Sequence, residues 1–314
     1  MAGSQGETPA DRTVWHYTTA AGFLNIIRTS TLWATSAAFM NDAQEMRATS
    51  RAYNATFENI RGSLSAEERK SARKLGIMRS PDPFQTFLVS ACKEPDLLTL
   101  WRGYGGEQVA YAIGLDRNVP LSPVEQVDGD THPNEPPNYR NDEWDEVDGE
   151  PVHVYDPDQV FVFGSSWFDV DYISANGGNS HETTLRRTIR DHSTAEAFKR
   201  VMMETVWGGA AEKDEGFSDE REVRMALELQ PSWKFVKYRE SRFGVVPYIE
   251  LGSAQPSCEY VSRGIPAENR RLPILNVTVG PNPWPGEAAK AARQILDDCG
   301  YGAASLTSSS VPFR

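Results

Sequence analysis

The apolar positions of the chain change period several times, and each change predicts an element. Val14 to Tyr17 reads as a short strand. Phe23, Ile26 and Ile27 recur at helical spacing, with Thr18 or Thr19 placed to cap that helix. Leu32 to Thr35 is strand-like. Asn41 and Asp42 open a second helix with Met46, Tyr53, Phe57 and Ile60 inward, and Asp42 with Glu45 has capping-box spacing. Ser65 with Glu68 is another capping box, ahead of a short charged helix. Phe84 to Ala91 predicts a strand after Pro81 and Pro83. Leu97, Leu100, Trp101 and Tyr104 fall on one helical face, and Val109, Tyr111, Ile113 and Leu115 alternate as in a half-buried strand.

The second half is richer in strands. Val152 to Val154, Val160 to Phe163 and Phe168 to Tyr172 have strand character, and His181 to Trp207 is the longest helical pattern. Arg221 to Leu229 alternates cleanly. Lys234 to Tyr238, Gly244 to Leu251 and Leu272 to Val279 are further strands. Glu287 to Cys299 is a helix with Gly300 placed to close it. Helices early, strands late and no repeat period predict an α+β fold. Its expected extent is one domain over 13–314 behind a loose tail at 1–12.

Charge adds one feature to this picture. Among 314 residues, 44 are acidic and 32 are Lys or Arg, a net of −12. Glu125 to Asp158 holds twelve acids and one base, Arg140, so this stretch carries −11 and the remainder about −1. The segment at about 125–150, rich also in Pro, Asn and Gly, reads as a long, weakly ordered loop insertion with Trp144 as its one anchor. A near-neutral remainder without a Lys/Arg block lacks the footprint of tight non-specific nucleic-acid binding. No apolar run is long enough for a membrane helix. Cys92, Cys258 and Cys299 lie far apart without metal or disulfide spacing, and no signal peptide is visible, so the expected setting is the reducing cytoplasm.

Candidate chemistry begins at Glu220-Arg221-Glu222-Val223-Arg224. In a strand, Glu220, Glu222 and Arg224 share one face. Two carboxylates that close repel unless a charge sits between them, which can separate their pKa values and their roles. The plain alternative is a solvated strand face on which Arg224 neutralises its neighbours. His16 is either a satisfied, half-buried histidine or a hydrogen-bond donor aimed at a ligand hydroxyl or phosphate. Trp101 and Tyr104 are either core or the aromatic walls of a pocket. No dinucleotide, Walker, nucleophile-elbow or zinc-protease motif occurs, and the histidines show no metal-ligand spacing.

Several short segments together resemble a bacterial "domain of unknown function" family that includes proteins labelled as abortive phage-infection factors. They are His16-Tyr17-Thr18, Leu32-Trp33-Ala34-Thr35-Ser36, Asn41-Asp42 with Glu45, Trp101 with Tyr104-Gly105, Glu220-Arg221-Glu222-Val223-Arg224, Val246-Pro247-Tyr248, Val279-Gly280-Pro281 and Ser310-Val311-Pro312-Phe313-Arg314. That family resembles a distant branch of the ADP-ribosyltransferase superfamily. The resemblance implies a split β-sheet around an NAD cleft and an NAD-consuming transferase or glycohydrolase, a phage-defence or toxin effector. It implies Glu222 as the catalytic glutamate and Glu220 as the residue that handles the acceptor. NAD would be held by His16, Tyr17, Thr18, Ser36, Asn41, Trp101, Tyr104 and Arg224. NAD is then the co-substrate, no metal is required, and the acceptor is protein, nucleic acid or water. An antitoxin or regulatory partner fits the same picture, and no membrane partner does. Two departures stand out. Thr35-Ser36 matches only part of the Ser-Thr-Ser of the Glu-x-Glu subgroup, and His16 stands where that subgroup has Arg. The alternative is a non-catalytic ligand-binding or antitoxin-like module on the same fold.

Overall fold

In the computed structural model, the described residues are 12–40, 55–74, 86–105, 109–125, 144–147, 150–153, 160–161, 167–173, 180–190, 211–228, 235–241, 244–253, 261–262 and 270–313. The strands are, in chain order, β1 (Thr13–Thr19), β2 (Leu32–Ser36), β3 (Thr86–Cys92), β4 (Ala110–Asp116), β5 (Leu121–Pro123), β6 (Trp144–Val147), β7 (Glu150–His153), β8 (Val160–Phe161), β9 (Phe168–Asp169), β10 (Asp171–Ile173), β11 (Glu212–Asp214), β12 (Glu222–Glu228), β13 (Val236–Ser241), β14 (Gly244–Ser253), β15 (Val261–Ser262), β16 (Ile274–Val279) and β17 (Ser305–Ser308). The α-helices among the described residues are α1 (Ala20–Thr29), α2 (Ala66–Lys74), α3 (Leu98–Gly105), α4 (Ser180–Arg190) and α5 (Pro285–Asp298), and residues 55–61 are also helical. The fold is α+β, around one large mixed sheet.

That sheet forks at β3. Along one edge β3 pairs with β12 over its whole length, from Thr86↔Glu228 to Cys92↔Glu222. The other edge is shared. β2 takes Phe87 and Leu88, and β1 takes Cys92. The two branches then diverge, one through β1, β4, β16 and β17 and the other through β2, β14 and β13. Ser90 lies between them, and its carbonyl accepts a hydrogen bond from His16 Nδ1 at 2.9 Å. A side chain thus satisfies a backbone group that a ladder would otherwise have paired.

One face of the sheet is the main core. Val14, Ala34, Val89, Ile113, Val223, Met225, Ile249 and Val277 meet Phe23, Ile26 and Ile27 of α1 and Leu296 of α5 there. These helices form for local reasons. Thr19 caps α1 by accepting from Gly22 N at 3.1 Å, and Gly300 follows α5 at φ 78°. The predicted box at α2 is present in both directions, Ser65 N to Glu68 Oε2 at 2.8 Å and Glu68 N to Ser65 Oγ at 3.1 Å.

The opposite face carries a smaller cluster of Tyr17, Cys92, Leu100, Trp101, Ala110 and Ala112, covered by α3. For this reason β4 is buried on both faces rather than half-buried. Its second set of side chains is small, which leaves room for the indole of Trp101 to pack against Ala110 and Ala112. Gly280 belongs to the same contact, since a Cβ there would come 2.7 Å from the Ala110 carbonyl and 2.9 Å from the Trp101 ring.

The acidic insertion needs one correction. Its end is not loop, because Trp144–Val147 pairs with Glu150–His153 as an antiparallel hairpin. Its residues 126–143 lie outside the described residues, as do the tail at 1–11, the predicted helix start at 41–54 and the predicted helix continuation at 191–210. Among the described residues no helix is long and apolar enough to cross a membrane.

Candidate functional site

Directly opposed residues of an antiparallel pair project from the same side. The registers Glu222↔Cys92, Arg224↔Ser90 and Trp15↔Cys92 therefore put Glu222, Arg224, Trp15 and Tyr17 on the face away from the main core. Glu220 does not share this strand. It ends a 3-10 turn over Glu215–Glu220, and Arg221 follows in the left-handed region at φ 45° before β12 begins. The strand-alternation argument fails at Glu220 because the chain reverses hand one residue too late for it.

The two carboxylates nevertheless meet, through a lysine. β10 and β11 run parallel, with Tyr172 opposite Lys213, and deliver both side chains to the start of β12. Lys213 Nζ donates to Glu220 Oε2 at 2.7 Å and to Glu222 Oε2 at 3.1 Å. Arg224 grips Glu222 with both prongs, Nε to Oε1 at 2.7 Å and Nη2 to Oε2 at 2.9 Å. The Tyr172 hydroxyl accepts from Glu222 N at 2.8 Å. Lys213 and Glu222 are each 7% exposed and Arg224 is 0% exposed, so this is an interior network and not a solvated strand face. Burial alone would raise the Glu222 carboxyl. The Arg224 fork and the charges of Arg224 and Lys213 outweigh it and hold the carboxyl below its ordinary value. Two cations balance two anions, and the Ser90 side chain adds a further pull in the same direction.

An aromatic cluster adjoins the network on the next branch. The Tyr17 ring lies 4.6 Å from Trp101 and 6.4 Å from Tyr104 between centroids. The Tyr17 hydroxyl donates to the Glu94 carbonyl and accepts from Leu97 N, both at 2.9 Å. Tyr104 is 44% exposed and so can meet a ligand, whereas Trp101 is buried. Phe217, also exposed, stacks over Lys213 at 4.9 Å. His16 is pulled below its ordinary pKa by burial, which the Ser90 bond only partly offsets. A carbonyl cannot donate, so Nδ1 carries the proton and Nε2 of the neutral ring is an acceptor. The sequence reading expected a donor from His16. Cys92, beneath this cluster, is pushed up to about 11 by burial and is an inert thiol at neutral pH.

The remaining assigned residues are placed differently. Thr18 lies in β1 next to Thr19, the α1 cap. Ser36 is fully buried and pairs with Phe87, on the main-core face and away from Glu222. Arg224 directs its guanidinium at the Glu222 carboxylate. Asn41 lies outside the described residues.

Lys213, Tyr172 and Asp96 were missed by sequence reasoning. Lys213 sits in Glu212-Lys213-Asp214, which looks like surface charge. Asp96 organises the far side of the aromatic cluster. It accepts from Trp101 Nε1 at 2.7 Å, from Ser310 N at 2.8 Å, from Ser310 Oγ at 2.7 Å and from Ser309 Oγ. The C-terminal segment is thereby tied over Val311 to the Tyr17 and Trp101 rings. Burial pushes the Asp96 carboxyl up, but these donors hold it below its ordinary value. A depressed carboxyl contributes fully above the ordinary aspartate range and loses its contribution as pH falls through the folded value. Acidification is therefore expected to release the segment, and alkali is not. In Asp96→Asn the hydrogen-exchange protection of the Ser310 amide should fall about tenfold at neutral pH, the effect of losing a hydrogen bond to a charged group. Unchanged protection in that variant would show that the tail is held by other contacts.

No curated protein and no solved structure matches the chain. Residues 100–225 are similar to a family described as "Protein of unknown function (DUF2971)", and the matched span takes in Trp101, Tyr104, Lys213, Glu220, Glu222 and Arg224 but not His16 or Tyr17.

Proposed function

We propose that the protein consumes NAD, as an ADP-ribosyltransferase or an NAD glycohydrolase. The observation that carries this reading is the fork at β3, which gathers a buried, ionised Glu222, the acceptor nitrogen of His16 and the Tyr17 and Tyr104 rings about one strand junction. Breaking the bond between ribose C1′ and the nicotinamide nitrogen sends the electron pair to nicotinamide, which leaves neutral, and builds positive charge on the ribosyl ring. The carboxylate of Glu222 stabilises that charge and can accept from a ribose hydroxyl. Nε2 of His16 suits a second ribose hydroxyl. Tyr104 offers an exposed ring for the nicotinamide. Water or an acceptor then bonds to C1′ and gives up a proton, and Glu220, joined to Glu222 through Lys213, is the carboxylate nearest that task.

A ligand-binding module without catalysis is the second reading. It is favoured by the three donors already on the Glu222 carboxylate, which leave it less charge to offer a cation. Both readings are tested by incubating the purified protein with NAD, with and without cell lysate, and measuring free nicotinamide beside NAD binding by calorimetry. Release is the expected result. NAD binding without release in either condition selects the module, and neither binding nor release rejects both.

A further inference from the structure

Two segments that the proposed function does not use meet on the other branch of the fork. Leu32–Ser36 is β2 and Val246-Pro247-Tyr248 lies in β14, where Tyr248 is opposite Thr35. The Trp33 and Tyr248 rings are in contact, with centroids 4.4 Å apart. Arg239 reaches in from β13. Its guanidinium lies 5.8 Å from the Trp33 ring centre and donates through Nη2 to Thr35 Oγ1 at 3.2 Å.

Two donors of this cluster have no acceptor. The indole Nε1 of Trp33 and Nε of Arg239 are both buried and, among the described residues, both without a hydrogen-bond partner. Buried polar groups are nearly always satisfied, and two orphaned N–H groups on neighbouring side chains are a departure that calls for a cause. Charge points the same way. Among the described residues Arg239 has no carboxylate partner, whereas Glu250, opposite Trp33, is matched by Lys237 at 3.5 Å. Among the described residues the local balance is one uncompensated positive charge and two unsatisfied donors.

We propose that Trp33, Arg239 and Thr35 form a binding site for an oxyanion, the phosphoryl or carboxylate group of a small ligand. An anionic oxygen would accept from Nε of Arg239 and Nε1 of Trp33 together, and charge-assisted bonds of this kind are the strong ones. Both N–H groups are covered, so the anion enters as Arg239 changes rotamer. Among the described residues its guanidinium is held by one hydrogen bond, to a threonine hydroxyl, and by the Trp33 ring. The proposal is independent of the NAD reading, because none of its residues belongs to the Glu222 network.

The test is calorimetric titration of the full chain with inorganic phosphate and, separately, with acetate, in a buffer free of both. Saturable binding is expected with a Kd on the order of 1 mM, the range of one small anion held by a few contacts. Trp33→Phe keeps the ring and removes the N–H, and Arg239→Lys keeps the charge and removes Nε. Each should weaken binding about tenfold or more, and a control at exposed Arg69, Arg69→Gln, should not. Whichever anion binds more tightly names the ligand class. The proposal is overturned if neither anion saturates, if both variants bind as wild type does, or if Arg69→Gln loses as much as they do. Thermal melts of the variants separate lost binding from lost fold, and Arg239→Lys alone decides the matter if Trp33→Phe does not fold.

Discussion

Arg224→Met should cost about 3–5 kcal/mol of stability, the range for removing one partner of a buried ion pair. Arg224 is 0% exposed and supplies two of the three hydrogen bonds on the Glu222 carboxylate. Without it, Lys213 is the one cation left on this carboxylate among the described residues, and it is shared with Glu220. Part of the penalty is avoided by protonation, so the variant should regain stability on acidification. Wild type behaves in the opposite sense. Its Glu222 titrates below the ordinary range, so that contribution is complete above the range and fades as pH falls through the folded value. Arg224→Met combined with Glu222→Leu should recover most of the loss, since an apolar pair can replace a buried ionic one. Urea unfolding at two pH values reads all three effects. A loss below about 1 kcal/mol, the scale of an exposed pair, would mean that the guanidinium is solvated in the folded protein.

Glu222→Gln should lower nicotinamide release by about 10²–10³, by analogy with removing a preorganised electrostatic group. Glu220→Gln should reduce transfer to an acceptor while sparing NAD hydrolysis, because water needs less positioning than a second substrate. From sequence, relief of repulsion between the two carboxylates would leave both variants melting near wild type. The interior network changes that expectation for Glu222. Glutamine keeps the shape and one acceptor but leaves Arg224 and Lys213 short of negative charge, so this variant should also be less stable. Rates must be compared at equal folded concentration. Release by Glu222→Gln as fast as by wild type would remove the catalytic assignment.

Local rules were legible wherever they act within a few residues. The Ser65–Glu68 box, the Thr19 cap, the turn at Gly300 and the alternation of β12 all follow from spacing alone. The fork was not legible, because it depends on how Phe87, Leu88 and Cys92 divide one edge between two distant strands. Nor was Lys213, whose partners are fixed by a left-handed residue at Arg221 and by the parallel pairing with Tyr172. β4 misled for a different reason. Alternation of large and small side chains looks like alternation of inside and outside until a helix such as α3 covers the small side.

The dependence of the sheet on β3 has a consequence during synthesis. Glu222 follows Cys92 by 130 residues in the chain. At roughly 5–20 residues per second, β3 leaves the ribosome about 6–26 s before its long-edge partner exists. Throughout that interval the segment Thr-Phe-Leu-Val-Ser-Ala-Cys, uncharged and free of proline, offers an open hydrogen-bonding edge of the kind that seeds aggregation. Only the early branch, through β1 and β2, can shelter it meanwhile. The nascent chain is therefore more exposed to edge-to-edge association at this stage than the finished fold is.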